Sequence, residues 1–177
     1  PEMAEKFPLS LVLITLHAGA RLRDVWASVP FADEIVIVDS GSTDEKANIA
    51  ADFGACFELH AWAGFGPQKA HAVSLARNDW VLCLDADEAL SPELARSICN
   101  AFRDGAPDYP VYRFARCNVF MGRPLTHGEG YTDFNTRLFR RDAAHWSDDI
   151  VHEHVRSDLA PRTLEGDLLH YSADELK

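Results

Sequence analysis

The chain has 177 residues, 47% of them hydrophobic and 25% charged, the proportions of one soluble globular domain with a core of its own. That composition excludes intrinsic disorder, collagen-like repeats and a coiled coil. Acidic residues outnumber basic ones 28 to 17, and the net charge of −11 would repel phosphate backbones, so no nucleic-acid partner is expected.

Other global signals are mostly negative. No apolar run reaches the roughly 18 residues of a membrane span. The longest, 9–16, is interrupted by Ser10 and Thr15. The polar start, Pro1-Glu2-Met3-Ala4-Glu5-Lys6, is unlike a signal peptide. The cysteines at 56, 83, 99 and 117 form no Cys-x-x-Cys pair and read as free buried thiols in a reducing cytoplasm.

In chain order, residues 9–14 form a continuous apolar run of strand length. Leu22, Val25, Trp26 and Val29 repeat at spacings of three and four and predict a helix over 20–29. A second buried strand spans 34–38. The turn Asp39-Ser-Gly-Ser-Thr43 follows, and a helix runs from Asp44 to about Phe53. Residues 55–59 are a third strand, Gly64-Phe-Gly-Pro67 a loop, and 68–76 a helix. A fourth strand covers 79–84. Ser91 caps a helix reaching about Arg103, with Pro92 in its first turn. This β-α alternation, with uniformly apolar strands, predicts an α/β fold: a mostly parallel sheet with helices on both faces. After Gly105 the chain turns loop-rich and α+β, with strands expected at 111–117, 137–141, 151–155 and 163–170. All of 1–177 reads as one domain. Residues 1–8 read as a tag or flexible start, 9–104 as a nucleotide-binding half, and 105–177 as an acceptor-binding half cut short at its C-terminus.

Ligands of open parallel sheets bind at the carboxyl ends of the strands. Those ends carry Thr15-Leu16-His17, Asp39-Ser-Gly-Ser-Thr-Asp44 and Asp85-Ala86-Asp87-Glu88. Three acidic strand ends with nothing basic beside them in sequence need a cation or polar ligand. Asp85 and Asp87, two apart on an extended chain, can converge on Mg²⁺ or Mn²⁺; a solvated acidic turn before a helix is the plainer alternative. Asp39 suits a ribose hydroxyl or an Asx-turn, and Asp44 suits a helix cap. Lys69, early in a helix, either awaits an anion or is a solvated lysine. His152 and His154 would share one face of a strand, but their spacing fits no zinc signature.

The ordered set resembles the GT-A glycosyltransferases of family 2. It comprises a first strand ending in a loop, Ile-Val-Ile-Val-Asp-Ser-Gly-Ser-Thr-Asp, a Lys-bearing helix, and Trp-Val-Leu-Cys-Leu-Asp-Ala-Asp-Glu. Gly-Phe-Gly-Pro-Gln-Lys, Arg-Leu-Phe-Arg-Arg, Trp-Ser-Asp-Asp-Ile-Val-His-Glu and Gly-Asp-Leu-Leu-His resemble the bacterial lipopolysaccharide-core β-glucosyltransferase branch. The resemblance implies a GT-A fold with Thr15 and Asp39 at the uridine end of a UDP-sugar, Asp44 among the substrate-binding residues, and Lys69 near the nucleotide or sugar. Asp85 would meet the ribose or the metal shell, and Asp87 and His170 would complete the Mg²⁺ or Mn²⁺ site. The Glu-Asp pair that often carries the family's base is missing after Asp87; Glu153 is favoured in its place, with Asp149 second. His17 stands where the resemblance expects Asn. The implied reaction is inverting, metal-dependent transfer of a hexose, glucose by resemblance, to a heptose of the lipopolysaccharide inner core. The implied enzyme is cytoplasmic, with peripheral membrane contact through a missing C-terminal part. Rival readings are another cell-surface glycan transferase, a nucleotidyltransferase, and a non-catalytic sugar-nucleotide module. A response-regulator receiver and a haloacid-dehalogenase-type phosphatase fit poorly, because their acidic motifs belong at the first strand.

Overall fold

A computed structural model describes residues 5–15, 22–41, 54–124 and 132–171. Four parallel strands, in the order β3-β2-β1-β4, make its first half: β1 (Phe7–Thr15), β2 (Ala32–Asp39), β3 (Cys56–Leu59) and β4 (Trp80–Asp85). Among the described residues three helices connect or flank them: α1 (Leu22–Ala27), α2 (Phe65–Ser74) and α3 (Pro92–Phe102). The expected helix over 44–53 lies outside the described residues.

Alternation along each strand sorts the core into two layers. Leu9, Leu11, Leu13, Leu82 and Leu84 pack with Leu22 and Trp26 of α1 and with Leu94, Ile98 and Phe102 of α3. Val12, Ile14, Val36, Val38 and Val81 face the other way, against Ala72 of α2 and Trp146. Helices thus cover both faces, as the apolar strands require. Ser91 caps α3 as expected, its Oγ accepting from the Leu94 N–H at 3.2 Å and from the Asp167 N–H at 3.1 Å.

Beyond β4 the sheet adds strands in both antiparallel and parallel pairs. These are β5 (Glu88–Leu90), β6 (Val111–Phe120), β7 (Arg123–Pro124), β8 (Phe134–Arg140) and β11 (Arg162–Tyr171). From β4 the sheet runs β8-β6-β11-β5, with β7 paired to β6. β5 therefore stands at the far edge of the sheet, although only Ala86 and Asp87 separate it from β4 in sequence. The sheet must curl until that edge returns to the end of β4.

Two short strands, β9 (His145–Trp146) and β10 (Val155–Arg156), form a separate pair. The strand expected over 151–155 is largely absent. Its carbonyl groups are used elsewhere: Ile150 O accepts from the Phe65 N–H at 3.1 Å and Asp149 O from the Gly66 N–H at 3.0 Å. Ser147 and His154 close the segment into a loop, with a backbone bond of 2.8 Å and a bond from the His154 N–H to Ser147 Oγ of 3.1 Å. His152 and His154 therefore do not share a strand face. α2 also starts three residues before the expected Gln68, because its first N–H groups find these loop carbonyls.

Candidate active site

β1 and β2 end side by side, with Thr15 opposite Asp39 in the register. The Thr15 hydroxyl donates to Asp39 Oδ1 at 2.5 Å, and the Gly41 N–H donates to Oδ2 at 3.0 Å. Asp39 is fully buried, and its charge is supported by these donors. Asp44 and His17 lie outside the described residues.

At the end of β4, Asp85 meets cations from distant parts of the chain. Lys69 Nζ is 3.1 Å from its Oδ1, and Arg137 Nη2 is 3.8 Å from its Oδ2. Burial alone would raise the Asp85 carboxyl, but the charges of Arg137 and Lys69 overrule it and hold it at about 2. A carboxyl lowered on folding stabilises the fold above its unfolded value, about 3.9, and loses that contribution as pH falls toward its folded value. Thermal stability of the parent is therefore expected to fall as pH drops from about 4 to 2, and Asp85→Asn to flatten that limb.

Lys69 is buried, 8% exposed, and stands over the Trp146 ring at 4.5 Å. It is not a solvated lysine. Its Nζ also donates to Glu153 Oε2 at 3.3 Å, so one ammonium bridges the strand-end carboxylate and the favoured base candidate. Glu153 is mostly buried at 16% exposure, whereas Asp149 is half exposed and 3.5 Å from His154 Nδ1.

Asp87, in the turn after β4, is 3.0 Å from His170 Nε2 on β11. His170 Nδ1 lies 2.9 Å from Asn118 Oδ1 on β6. The structure thus brings Asp87 and His170 together and gives Asp85 to Lys69 and Arg137. Among the described residues no group of three His, Cys, Asp or Glu side chains is spaced to hold a metal ion.

A cavity of about 530 Å³ opens over Lys69, Asp85 and Glu153. Lys69, Arg116, Arg137, Asp85, Asp133 and Glu153 supply its charges, and Phe65, Phe134, Trp146 and Val151 line its apolar walls. It is large enough for a sugar-sized ligand and places a partly buried carboxylate on either side of one lysine.

The family model described as glycosyl transferase family 2 matches residues 10–158. The chain belongs to glycosyl transferase family 2. Among curated relatives, an uncharacterized glycosyltransferase of Rickettsia bellii is 33% identical over 96% of this chain and 61% of its own length. The lipopolysaccharide core biosynthesis glycosyltransferase LpsC of Rhizobium meliloti is 32% identical over 96% of this chain and 65% of its own. The chain spans less than two thirds of the length of either relative. Among solved structures, S. aureus TarS 1-349 superposes with a TM-score of 0.62 at 15% identity, covering 95% of this chain and 61% of that one. That likeness shows the GT-A glycosyltransferase fold.

Within this family 2 domain, several residues escape a reading by motif. Glu88 is fully buried and paired with Arg137 and Arg116. Arg137 sits beside buried Leu138 and Phe139; a charge in so apolar a run signals a buried partner. Asn118 and Trp146 carry no comparable local signal. The thiols are free, as expected, but Cys56 is exposed and only Cys83 and Cys117 are buried. Burial raises the Cys83 thiol to about 11, so it stays protonated beneath the site. No helix among the described residues is long and apolar enough to cross a membrane.

Proposed function

We propose that the chain is the donor-binding and catalytic part of an inverting glycosyltransferase. In this reading it moves a hexose, glucose by resemblance, from a UDP-sugar to a heptose of the lipopolysaccharide inner core. The Lys69 bridge between Asp85 and Glu153 across one cavity carries the reading. Thr15 and Asp39 are assigned to the uridine end of the donor, Asp44 to substrate binding, and Asp85 and Lys69 to the donor's ribose and diphosphate side. LpsC supports the lipopolysaccharide acceptor by name, and a cytoplasmic, peripherally membrane-associated location belongs to the same reading.

Asp87 and His170 fit a divalent cation. With Nδ1–H given to Asn118 Oδ1, the lone pair of His170 Nε2 faces Asp87 Oδ2 at 3.0 Å. Two electron-rich atoms at that distance require a proton or a cation, and a nitrogen–oxygen pair suits Mn²⁺ as well as Mg²⁺. Asp87 and His170 would hold such an ion, which when bound would supply positive charge against the departing diphosphate. The Glu153 carboxylate takes the proton of the acceptor hydroxyl as that oxygen attacks the anomeric carbon. A single displacement converts an α-linked donor to a β-linked product, with no covalent intermediate on the protein.

Calorimetric titration with UDP, with Mn²⁺ and then with the ion chelated, tests the donor reading. Parent protein is expected to bind UDP at least tenfold more tightly with Mn²⁺, about 1.4 kcal/mol, and Asp87→Ala to lose that difference. No UDP heat under either condition would sink the reading. A panel of UDP-sugars, with heptose-bearing core oligosaccharide as acceptor, then identifies sugar and acceptor.

A further inference from the structure

The curled sheet creates an unusual junction. From β4 the path of paired strands runs through β8, β6 and β11 to β5, and the two-residue turn Ala86-Asp87 joins β5 back to β4. Five strands thus close on themselves, and Glu88, the first residue of β5, stands at the closure. Its backbone lies opposite His170 of β11. Its side chain is fully buried, a costly place for a carboxylate unless every lone pair is matched.

Glu88 accepts four hydrogen bonds from three strands. Oε1 takes the Asp85 N–H at 2.7 Å and Arg137 Nη1 at 2.7 Å. Oε2 takes Arg137 Nη2 at 3.2 Å and Arg116 Nε at 2.7 Å. Arg137 is buried, with Nη1 also donating to Cys83 O at 3.2 Å; Arg116 reaches the cavity. One distance is decisive. Arg137 Nη2 is closer to Glu88, at 3.2 Å, than to Asp85, at 3.8 Å. The same guanidinium serves two carboxylates, and the buried one holds it.

We propose that Glu88 is a positioning residue of this site. It draws Arg137 back from Asp85 Oδ2, fixes the Asp85 backbone, and so leaves that oxygen, the one Lys69 does not hold, for a ligand in the cavity. The proposal rests on the family 2 reading for what Asp85 receives, but the hold on Arg137 stands without it. Without the Glu88 charge, Arg137 closes on Asp85 Oδ2, and a donor must compete with a second internal ion pair beside that of Lys69 with Oδ1.

Two measurements on Glu88→Gln test this. The first is the arginine side-chain ¹H–¹⁵N spectrum, with Arg137 resonances assigned through Arg137→Lys. In the parent these resonances are expected to be slow to exchange with solvent, and in Glu88→Gln to shift and exchange faster. The second is UDP affinity with Mn²⁺ present, expected to fall about tenfold. Leu94→Ala, a core truncation of the same sheet face, is the control for stability loss alone and is expected to leave both readouts unchanged. Should Glu88→Gln not fold, Arg116→Gln releases the clamp from its exposed side and is expected to shift the same Arg137 resonances. Unchanged Arg137 resonances in the folded variant would overturn the proposal, as would a UDP affinity within about twofold of the parent. A parent that binds no UDP would count against the donor reading, while the arginine resonances would still decide the role of Glu88.

Discussion

Glu153→Gln is expected to slow sugar transfer by about 10²–10⁴-fold while leaving UDP affinity within about twofold, the signature of a lost general base. The amide is the same size, and its oxygen can still accept from Lys69 Nζ, so the bridge across the cavity survives. What disappears is the capacity to take a proton. Asp149 is the comparison: half exposed, outside the cavity lining, and beside His154. Asp149→Asn is expected to change the rate by less than about threefold, because its backbone carbonyl, not its carboxylate, is tied into the site. Initial-rate kinetics on both variants, with UDP binding measured separately, give the answer. If Asp149→Asn is the inactive one, the base is Asp149, and the Lys69–Glu153 contact becomes structural.

The parallel half of the fold was legible because its signals are local. Buried apolar strands, Gly-rich turns and a Ser-Pro cap each occupy a few consecutive residues, and these set β1, β2, β4 and α3. Thr15 with Asp39, and Asp87 with His170, were legible as strand-end residues, which the topology of a parallel sheet gathers at one edge. Long-range closure stayed hidden. The acidic strand ends looked uncompensated because their cations, Lys69, Arg116 and Arg137, arrive from helix α2 and strands β6 and β8. β5 is three residues long and reads as a loop, yet it closes the sheet. The Val-His-Glu-His-Val run alternates like a strand, but its neighbours' carbonyls go to the α2 N-terminus instead of a β-ladder. Periodicity reports the face a segment could bury, not the partner that claims its backbone.

Gly66 shows how that backbone competition reaches the chemistry. A Cβ added there would meet Ser147 O at 2.1 Å and Asp149 O at 2.6 Å. Both obstacles are main chain, so no side chain can swing aside. The close approach lets α2 give its first N–H groups to Ile150 O and Asp149 O, and this contact sets the distance between Lys69, on α2, and Glu153, three residues past Ile150. Gly66→Ala is expected to destabilise the fold by about 1–3 kcal/mol through overpacking. At temperatures where the variant remains folded, transfer is expected to fall about tenfold or more, because an ångström-scale displacement of a base is costly. UDP binding, which the proposed function assigns to Thr15, Asp39 and the end of β4, is expected to change far less. Urea unfolding with transfer and binding assays on the folded variant checks all three. A variant with parental stability and rate would mean that the 147–150 loop shifts freely against α2, and that Glu153 owes its position to something other than this helix.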